Sequence, residues 1–460
     1  MTTTAASTLL GVDALLDPLQ RALKGAGAEG AELWVHRRRA SVVRYSHSSI
    51  HQSAASDELD VHARVAVDGA VGTAEGGSLA PDALRDLISR AAALAKLQPA
   101  NPTWPGFADP APYRAPHAFD AATADLDPAG QARAIAAICA SLASGQRAAG
   151  THSVDVTEDA IANTHGVAAY APATVAYLRA LVQGEHGGAG YADDLSRDHR
   201  GLDPAGIARR AREKCELDHD RARLAPGDYE AVFEEDAVAE ILRFVSLTGC
   251  GGQAVREGRS FMAGRIGEAV TGARFTLHDD ALDPRQLAIP FDVEGTPKER
   301  VTLVENGVVR GPVHDRTGAK LMGTRSTGHA ADPDRYARGG HAGNLVMAGG
   351  SATREQLIGA VTRGILITRF HYTNTPDPKR ATMTGTTRDG TFLIEDGRIV
   401  GALANVRYTM SALELFSGID LLGPQRLVRD WWSTNGMGSI VCLAPAMKVS
   451  RATITGSSPA

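Results

Sequence analysis

The sequence predicts an α+β protein: an N-terminal sheet-plus-helices unit, a middle α/β region, and a large, mainly antiparallel β unit with a few helices. Three observations predict it. Leu59, Val61, Ala63, Val65 and Val67 alternate along one stretch, which is the period of a half-buried strand. Leu84, Leu87, Ile88, Ala91 and Ala95 then recur at helical spacing. From residue 226 onward the chain is Gly-rich and strand-like, with Asn306-Gly307 and Asp396-Gly397 as two-residue hairpin turns.

The elements follow in order. Asp17-Pro18 reads as the start of the first helix, Asp as cap and Pro at the first position. Leu15, Leu16, Leu19 and Leu23 form its apolar face. Residues 31–36 and 41–45 read as two strands, and Asp68-Gly69 closes a hairpin, so 1–105 is one expected unit. Residues 98–128, rich in Pro and Ala, read as a linker. Asp127-Pro128 and Asp203-Pro204 start two further helices, and 152–183 reads as strands separated by turns (SVDVTED, GVAAYAP, TVAYLRALV). Together 106–225 make the linker and middle region. In 226–460 a short strand, YEAVF, leads into a helix over 236–247, with Val238, Ile241, Leu242 and Val245 facing inward. Ser351, after two glycines, reads as the cap of a short helix, with Glu355 or Gln356 near the capping-box position.

Composition narrows the function. The 460 residues carry 48 Lys+Arg against 53 Asp+Glu, a net charge of -5, which argues against a dedicated nucleic-acid binder. The 4 cysteines, at 139, 215, 250 and 442, form no CxxC, so neither a disulfide framework nor a Cys-rich zinc site is expected. No apolar run approaches the roughly 20 residues of a membrane span. Met1–Leu10 has no basic stretch followed by a long apolar one, so the expected location is cytoplasmic.

No HExxH pair, nucleophile elbow, P-loop or dinucleotide fingerprint is present. Cys215 and His219 lie four apart, but a half-buried Cys and a surface His explain them more simply. His329 and His341 sit in a Gly-rich, Arg-containing loop, where a metal or phosphate site competes with a plain polar loop. The run Arg369–Asn374 (RFHYTN) is richer in chemistry. On a strand, Arg369, His371 and Thr373 share a face able to hold a peptide's carbonyls or carboxylate by charge-assisted hydrogen bonds. The plainer reading is an edge strand with a solvated polar face.

Several long segments then carry a resemblance. They are LAPGDYEAVFEEDAVAEIL (224–242), GRSFMAGRIGEAV (258–270), DVEGTPKERVTLVENGVVRG (292–311), MAGGSATREQLIGAVTRGI (347–365) and TRDGTFLIEDGRIVGAL (387–403). In these, and in the helix–strand–hairpin–helix order before Leu97-Gln98-Pro99, the chain resembles the TldD/PmbA (TldD/TldE) metallopeptidase family over nearly its whole length. In that family TldD-type subunits carry HExxxH on the helix after a YEVVL-like strand, plus a Cys ligand near the C-terminus. The two His bind zinc and the Glu activates water. TldE/PmbA-type subunits lack these residues and pair with a TldD-type subunit.

Here the HExxxH slots fall on Arg243, Phe244 and Thr248. Cys442 lies three residues before Pro445, whereas the catalytic type has its Cys near Trp431–Asn435; Cys442 reads as a small buried residue of a terminal strand. The resemblance therefore implies the TldE/PmbA type: a non-catalytic or accessory subunit with no metal and no cofactor of its own. An HExxxH-bearing partner would supply zinc in a heterodimer with a large, mainly apolar interface. The implied substrate is an extended, unfolded peptide, with Arg369, His371, Tyr372 and Arg388 lining the cleft. Two other readings stay open. One is a free-standing, metal-independent or re-sited hydrolase of a small peptide-like or amide metabolite, using His329, His341, His371 and Asp389. The other is a non-enzymatic binding or modulator protein.

Overall fold

The computed structural model describes residues 9–26, 29–114, 118–287, 289–331, 339–429 and 440–457. The chain opens with α1 (Val12–Leu23), β1 (Gly30–Ser46), β2 (Ser49–Val67), β3 (Ala70–Gly76) and α2 (Pro81–Ala95). The short α3 (Ala121–Ala124), α4 (Pro128–Ala140), β4 (Arg147–Asn163), β5 (Ala168–Gln183), β6 (Ala189–Ser196) and α5 (Pro204–Leu217) follow. The six strands form one antiparallel sheet in the order β3-β2-β1-β4-β5-β6. Residues 1–105 and 106–225, expected as separate units, thus contribute three strands each to a single sheet. β1 pairs with β4 from Glu32↔Asn163 to Tyr45↔Gly150. Helices α1 and α2 bury Leu15, Leu19, Leu84, Leu87 and Ile88 on one half of it. Helices α4 and α5 bury Ile135, Ile138, Ile207 and Ala211 on the other.

Capping and turn chemistry work as the sequence predicts at several points. Asp127 and Asp203 each accept a hydrogen bond from a glycine N–H of the helix they start. Asp68-Gly69 takes φ of 50° and 72°, the left-handed pair a two-residue hairpin turn requires.

Three local expectations fail. Residues 31–36 and 41–45 belong to one strand, because the charged stretch between them is satisfied inside the sheet. Arg37 bonds Glu158 at 2.6 Å and Arg38 bonds Asp155 at 2.5 Å, both acceptors lying on β4. GVAAYAP and TVAYLRALV are also one strand. Pro172 faces Glu158 on β4, and β6 begins pairing only at Ala176, so the missing N–H costs no ladder bond. Pro18 does not start α1 but sits inside it. The helix begins at Val12, where Glu158 fixes the approach by accepting from Leu10 N–H (3.0 Å) and Gly11 N–H (2.8 Å).

The second half contains β7 (Gly227–Phe233), α6 (Glu235–Gly249), α7 (Gly252–Arg256), β8 (Leu277–Asp279), β9 (Val301–Glu305), β10 (Val308–Val309) and α8 (Arg316–Leu321). It continues through β11 (Asn344–Met347), α9 (Arg354–Gly359), β12 (Arg363–Asp377), β13 (Thr382–Glu395), β14 (Arg398–Ala402) and β15 (Val406–Ser411). It ends with α10 (Ala412–Ser417), β16 (Ile419–Arg429) and β17 (Val441–Ser457). The eleven strands form one sheet, antiparallel except where β7 meets β12 and β11 meets β17. β7 also pairs with β17, so β7, β12, β13, β15 and β17 close a circuit. Asn306-Gly307 and Asp396-Gly397 are left-handed turns as expected. The cap of α9 is Thr353, not Ser351: Thr353 and Gln356 exchange bonds in a capping box, the only arrangement that places a Gln at the third helical position.

The largest apolar core surrounds α6 and includes Phe233, Val238, Ile241, Leu242, Phe370 and Tyr408. The halves meet through apolar and ionic contacts. Trp34 and Ile161 pack with Phe291 and Val293, and buried Arg64 bridges Glu32 at 2.6 Å and Glu294 at 3.2 Å. No described helix is long and apolar enough to cross a membrane.

Candidate functional site

Helix α6 forms because Glu235 and Asp236 favour its first turn and its apolar stripe faces the core. The structure places Arg243, Phe244 and Thr248 on it, all half-buried. Arg243 lies over the Phe244 ring at 5.1 Å, and the Thr248 hydroxyl donates to the Phe244 carbonyl at 2.7 Å. A guanidinium stays protonated, a phenyl ring has no donor atom, and this hydroxyl is engaged in its own helix. The three side chains do not fit a zinc ion, and none can take a proton from water. Cys442 is buried in β17, its Sγ 3.8 Å from the Ala239 carbonyl of α6. Trp431–Asn435 lies outside the described residues, as does 332–338 of the loop between the two histidines.

Strands β12 and β13 bring Arg369, His371, Tyr372, Arg388 and Asp389 together. Arg369 pairs across the ladder with Arg388, and His371 with Thr386. Asp389 binds Arg369 through Nε at 2.8 Å and through Nη2, and the Arg369 guanidinium lies 4.2 Å from the Tyr191 ring of β6. Arg388 Nη1 donates to His371 Nε2 at 2.9 Å. Burial, then Arg388 and Arg369, holds His371 below its usual value, so the neutral imidazole is the acceptor.

Thr373, expected on this face, points the other way. Tyr372 takes φ of 53°, the pairing slips between His371 and Asn374, and Thr373 turns into the core. There its hydroxyl bonds Glu240 of α6 and lies 2.6 Å from the Tyr408 hydroxyl. The bulge inverts the alternation that the sequence suggested. β7 pairs with β12 only over Gly364–Ile367, so beyond Ile367 the described strands flank β12 on the β13 side alone.

His329 and His341 stand apart from this group, beside Asp279. His329 Nε2 is 2.9 Å from Asp279 Oδ1, with both side chains fully enclosed. Burial would raise Asp279, but His329, Lys298 and the Asn344 N–H together outweigh that and hold it low. Burial pushes His341 down to about 4, and Arg243 is near enough to add to the effect. Asp389 is paired on the β12–β13 side and does not join the histidines. Cys215 is buried at the end of α5 and His219 is exposed beside Asp220. Among the described residues, the one trio of acidic or His groups that could surround a cation is Asp120, Asp198 and His199. Its carboxylates already cap turns and bind Arg200 at 3.1 and 2.8 Å.

Sequence reasoning missed the junction that orients α6. Arg426 on β16 donates to Asp193 of β6 at 3.1 Å and to Asp236 in the first turn of α6. Asp193 also accepts from Tyr177 at 3.1 Å and Tyr191 at 2.8 Å. Burial pushes Asp236 up to about 7. The two carboxylates that Arg426 joins lie 233 and 190 residues from it in sequence, so no local pattern announces them.

The profile of the PmbA/TldA metallopeptidase C-terminal domain matches residues 226–456, half of the chain. The chain belongs to this family. Among curated relatives, a metalloprotease TldD homolog from Buchnera aphidicola is 28% identical over 170 residues, 36% of this chain and 35% of that protein. The TldD homolog of Haemophilus influenzae is 27% identical over the same shares. The chain thus matches about a third of the length of these relatives. Among solved structures, TldE from Thermococcus kodakarensis superposes with a TM-score of 0.86 at 23% identity, covering 95% of this chain and 100% of that one. A protein described as a putative modulator of a DNA gyrase, from Thermotoga maritima, gives 0.82 at 19% identity, covering 95% and 99%. These two likenesses establish the fold.

Proposed function

We propose that this chain is the accessory subunit of a two-subunit zinc peptidase, in which an HExxxH-bearing relative holds the metal and this chain completes a cleft for extended peptide. The observation that carries the reading is α6. By the family resemblance it would be the counterpart of the zinc-binding helix, with its slots falling on Arg243, Phe244 and Thr248, a set that neither ligates zinc nor activates water. The strand face of Arg369, His371, Tyr372 and Arg388 would line the cleft. Backbone pairing beside β12 past Ile367 would hold peptide irrespective of sequence. A cation would be repelled there by two guanidiniums, so the face suits an anionic or carbonyl-rich ligand. The enclosed His329–Asp279 pair, with no exposed side-chain surface, gives a re-sited hydrolase little to work with.

Native mass spectrometry tests this. The expected result is a lone chain without zinc and a stoichiometric complex with the HExxxH-bearing relative holding one zinc. Zinc bound to the lone chain, or no complex with the relative, refutes it.

A further inference from the structure

On the β12–β13 face, two guanidiniums share one carboxylate unequally. Asp389 serves Arg369 through Nε and Nη2, and the Tyr191 ring covers that guanidinium. Arg388 meets the same carboxylate only at 3.8 Å and keeps 47% of its side chain exposed. Its bond to His371 Nε2 orients the planar fork without neutralising it. Tyr372, 63% exposed, stands edge-on to the His371 ring at 4.3 Å, an aromatic wall beside the cation.

The backbone sets where a ligand would end. β7 stops pairing with β12 at Ile367. The positive φ of Tyr372 then kinks the strand, and the ladder slips after His371. Between the end of the β7 ladder and the slip after His371 lie only Thr368–His371, of which Thr368 and Phe370 are buried, so an added strand would meet backbone there at Arg369 and His371, beside Arg388. A chain terminus fits such a place better than a chain interior, whose next residues would find no matching N–H and C=O groups.

We propose that Arg388, oriented by His371, binds the C-terminal carboxylate of an extended peptide lying along β12. The inference rests on the peptide-cleft reading of this strand and adds a substrate class to it: short peptides with a free C-terminus. Planar guanidinium and planar carboxylate match through two parallel N–H···O bonds, and a C-terminal amide loses the charge.

The test uses one N-acetylated peptide with uncharged side chains, of Ala, Ser and Gly with a single Trp, made as the free acid and as the C-terminal amide. Each is titrated into the full chain, alone and with its HExxxH-bearing relative, by calorimetry. The acid is expected to bind about tenfold tighter than the amide. Arg388→Gln is expected to erase that difference, bringing the acid's affinity down to the amide's, and Arg388→Lys to keep part of it. Equal binding of acid and amide overturns the carboxylate inference and leaves the cleft reading standing. Loss of both peptides in a folded Arg388→Gln chain also overturns it, because Arg388 then serves the cleft generally. If neither peptide binds in either state, the inference and the cleft reading fall together.

Discussion

Replacing Arg426 by Met should destabilise the chain in a pH-dependent way. Arg426 is three-quarters buried, at 24% side-chain exposure, and its two carboxylate partners are more buried still, at 4% for Asp193 and 13% for Asp236. Removing one member of a buried charge cluster strands the others at a cost of about 3–5 kcal/mol. Asp193 keeps its bonds from Tyr177 and Tyr191, so the lower end, about 3 kcal/mol at pH 8, applies. The pH dependence follows from Asp236. Its folded value, raised to about 7 by burial, lies above the ordinary aspartate value. The folded state therefore holds the proton more tightly. That contribution is fully present below the ordinary value and is lost as pH rises through about 7. At about pH 5.5 Asp236 is neutral in both proteins, its stranding no longer counts, and the penalty should shrink to roughly 1 kcal/mol. Asp236→Asn should flatten the same window in the parent chain. Urea unfolding followed by circular dichroism at the two pH values measures this. A penalty under about 1 kcal/mol at pH 8, or an equal penalty at both, would show that Arg426 is not the group compensating Asp236.

Two further outcomes follow from packing. A Cβ added at Gly190 would lie 1.9 Å from the Ala211 carbonyl oxygen and 2.6 Å from the Cys215 nitrogen, both backbone of α5. Gly190→Ala should cost about 3 kcal/mol, while Gly359→Ala, with nothing within 4 Å, should stay within about 0.5 kcal/mol; thermal melts that reverse this order would contradict the packing. Phe416 stacks on Phe275 at 4.0 Å with an interplanar angle of 10°, so Phe416→Ala should cost roughly 3–5 kcal/mol, read as a shift in urea midpoint at unchanged slope.

Legibility in the sequence followed the range of the forces involved. Helix faces and hairpin turns are set within a few residues, so the stripe from Leu84 to Ala95 and the Asp68-Gly69 and Asn306-Gly307 turns were readable. The single strand Gly30–Ser46 was not, because three consecutive arginines break the apolar alternation, and the β4 partners of Arg37 and Arg38, Glu158 and Asp155, lie more than a hundred residues on. Pro18 misled because Asp-Pro is a good helix start locally, and only Glu158 shows where α1 begins. At the site, the clustering of Arg369, His371 and Arg388 was legible in part, since a hairpin joins the strands that carry them. Thr373 was misplaced because one positive φ at Tyr372 turns it to the opposite face, and tyrosine gives no advance sign of adopting it.

The anchoring of α6 bears on what the helix is for. It is held at its first turn by Arg426, midway by the bond from Thr373 to Glu240, and near its end by the Ser246 hydroxyl on the Ala342 carbonyl. Glu240 and Ser246 are buried. Matched apolar residues would serve a helix needed only to fill a core, since replacing both partners of a buried polar pair by groups of the same shape is nearly neutral. Directional bonds do something apolar contacts do not: they admit one rotation and one height of the helix against its neighbours. The neighbours so fixed are β6, which carries Tyr191 under Arg369, and β12, which carries Thr373 two residues from His371. Held this way, α6 sets the β12–β13 face against the N-terminal sheet. On the proposed reading, in which this face walls a peptide cleft, a loosened α6 should weaken peptide binding before it unfolds the chain.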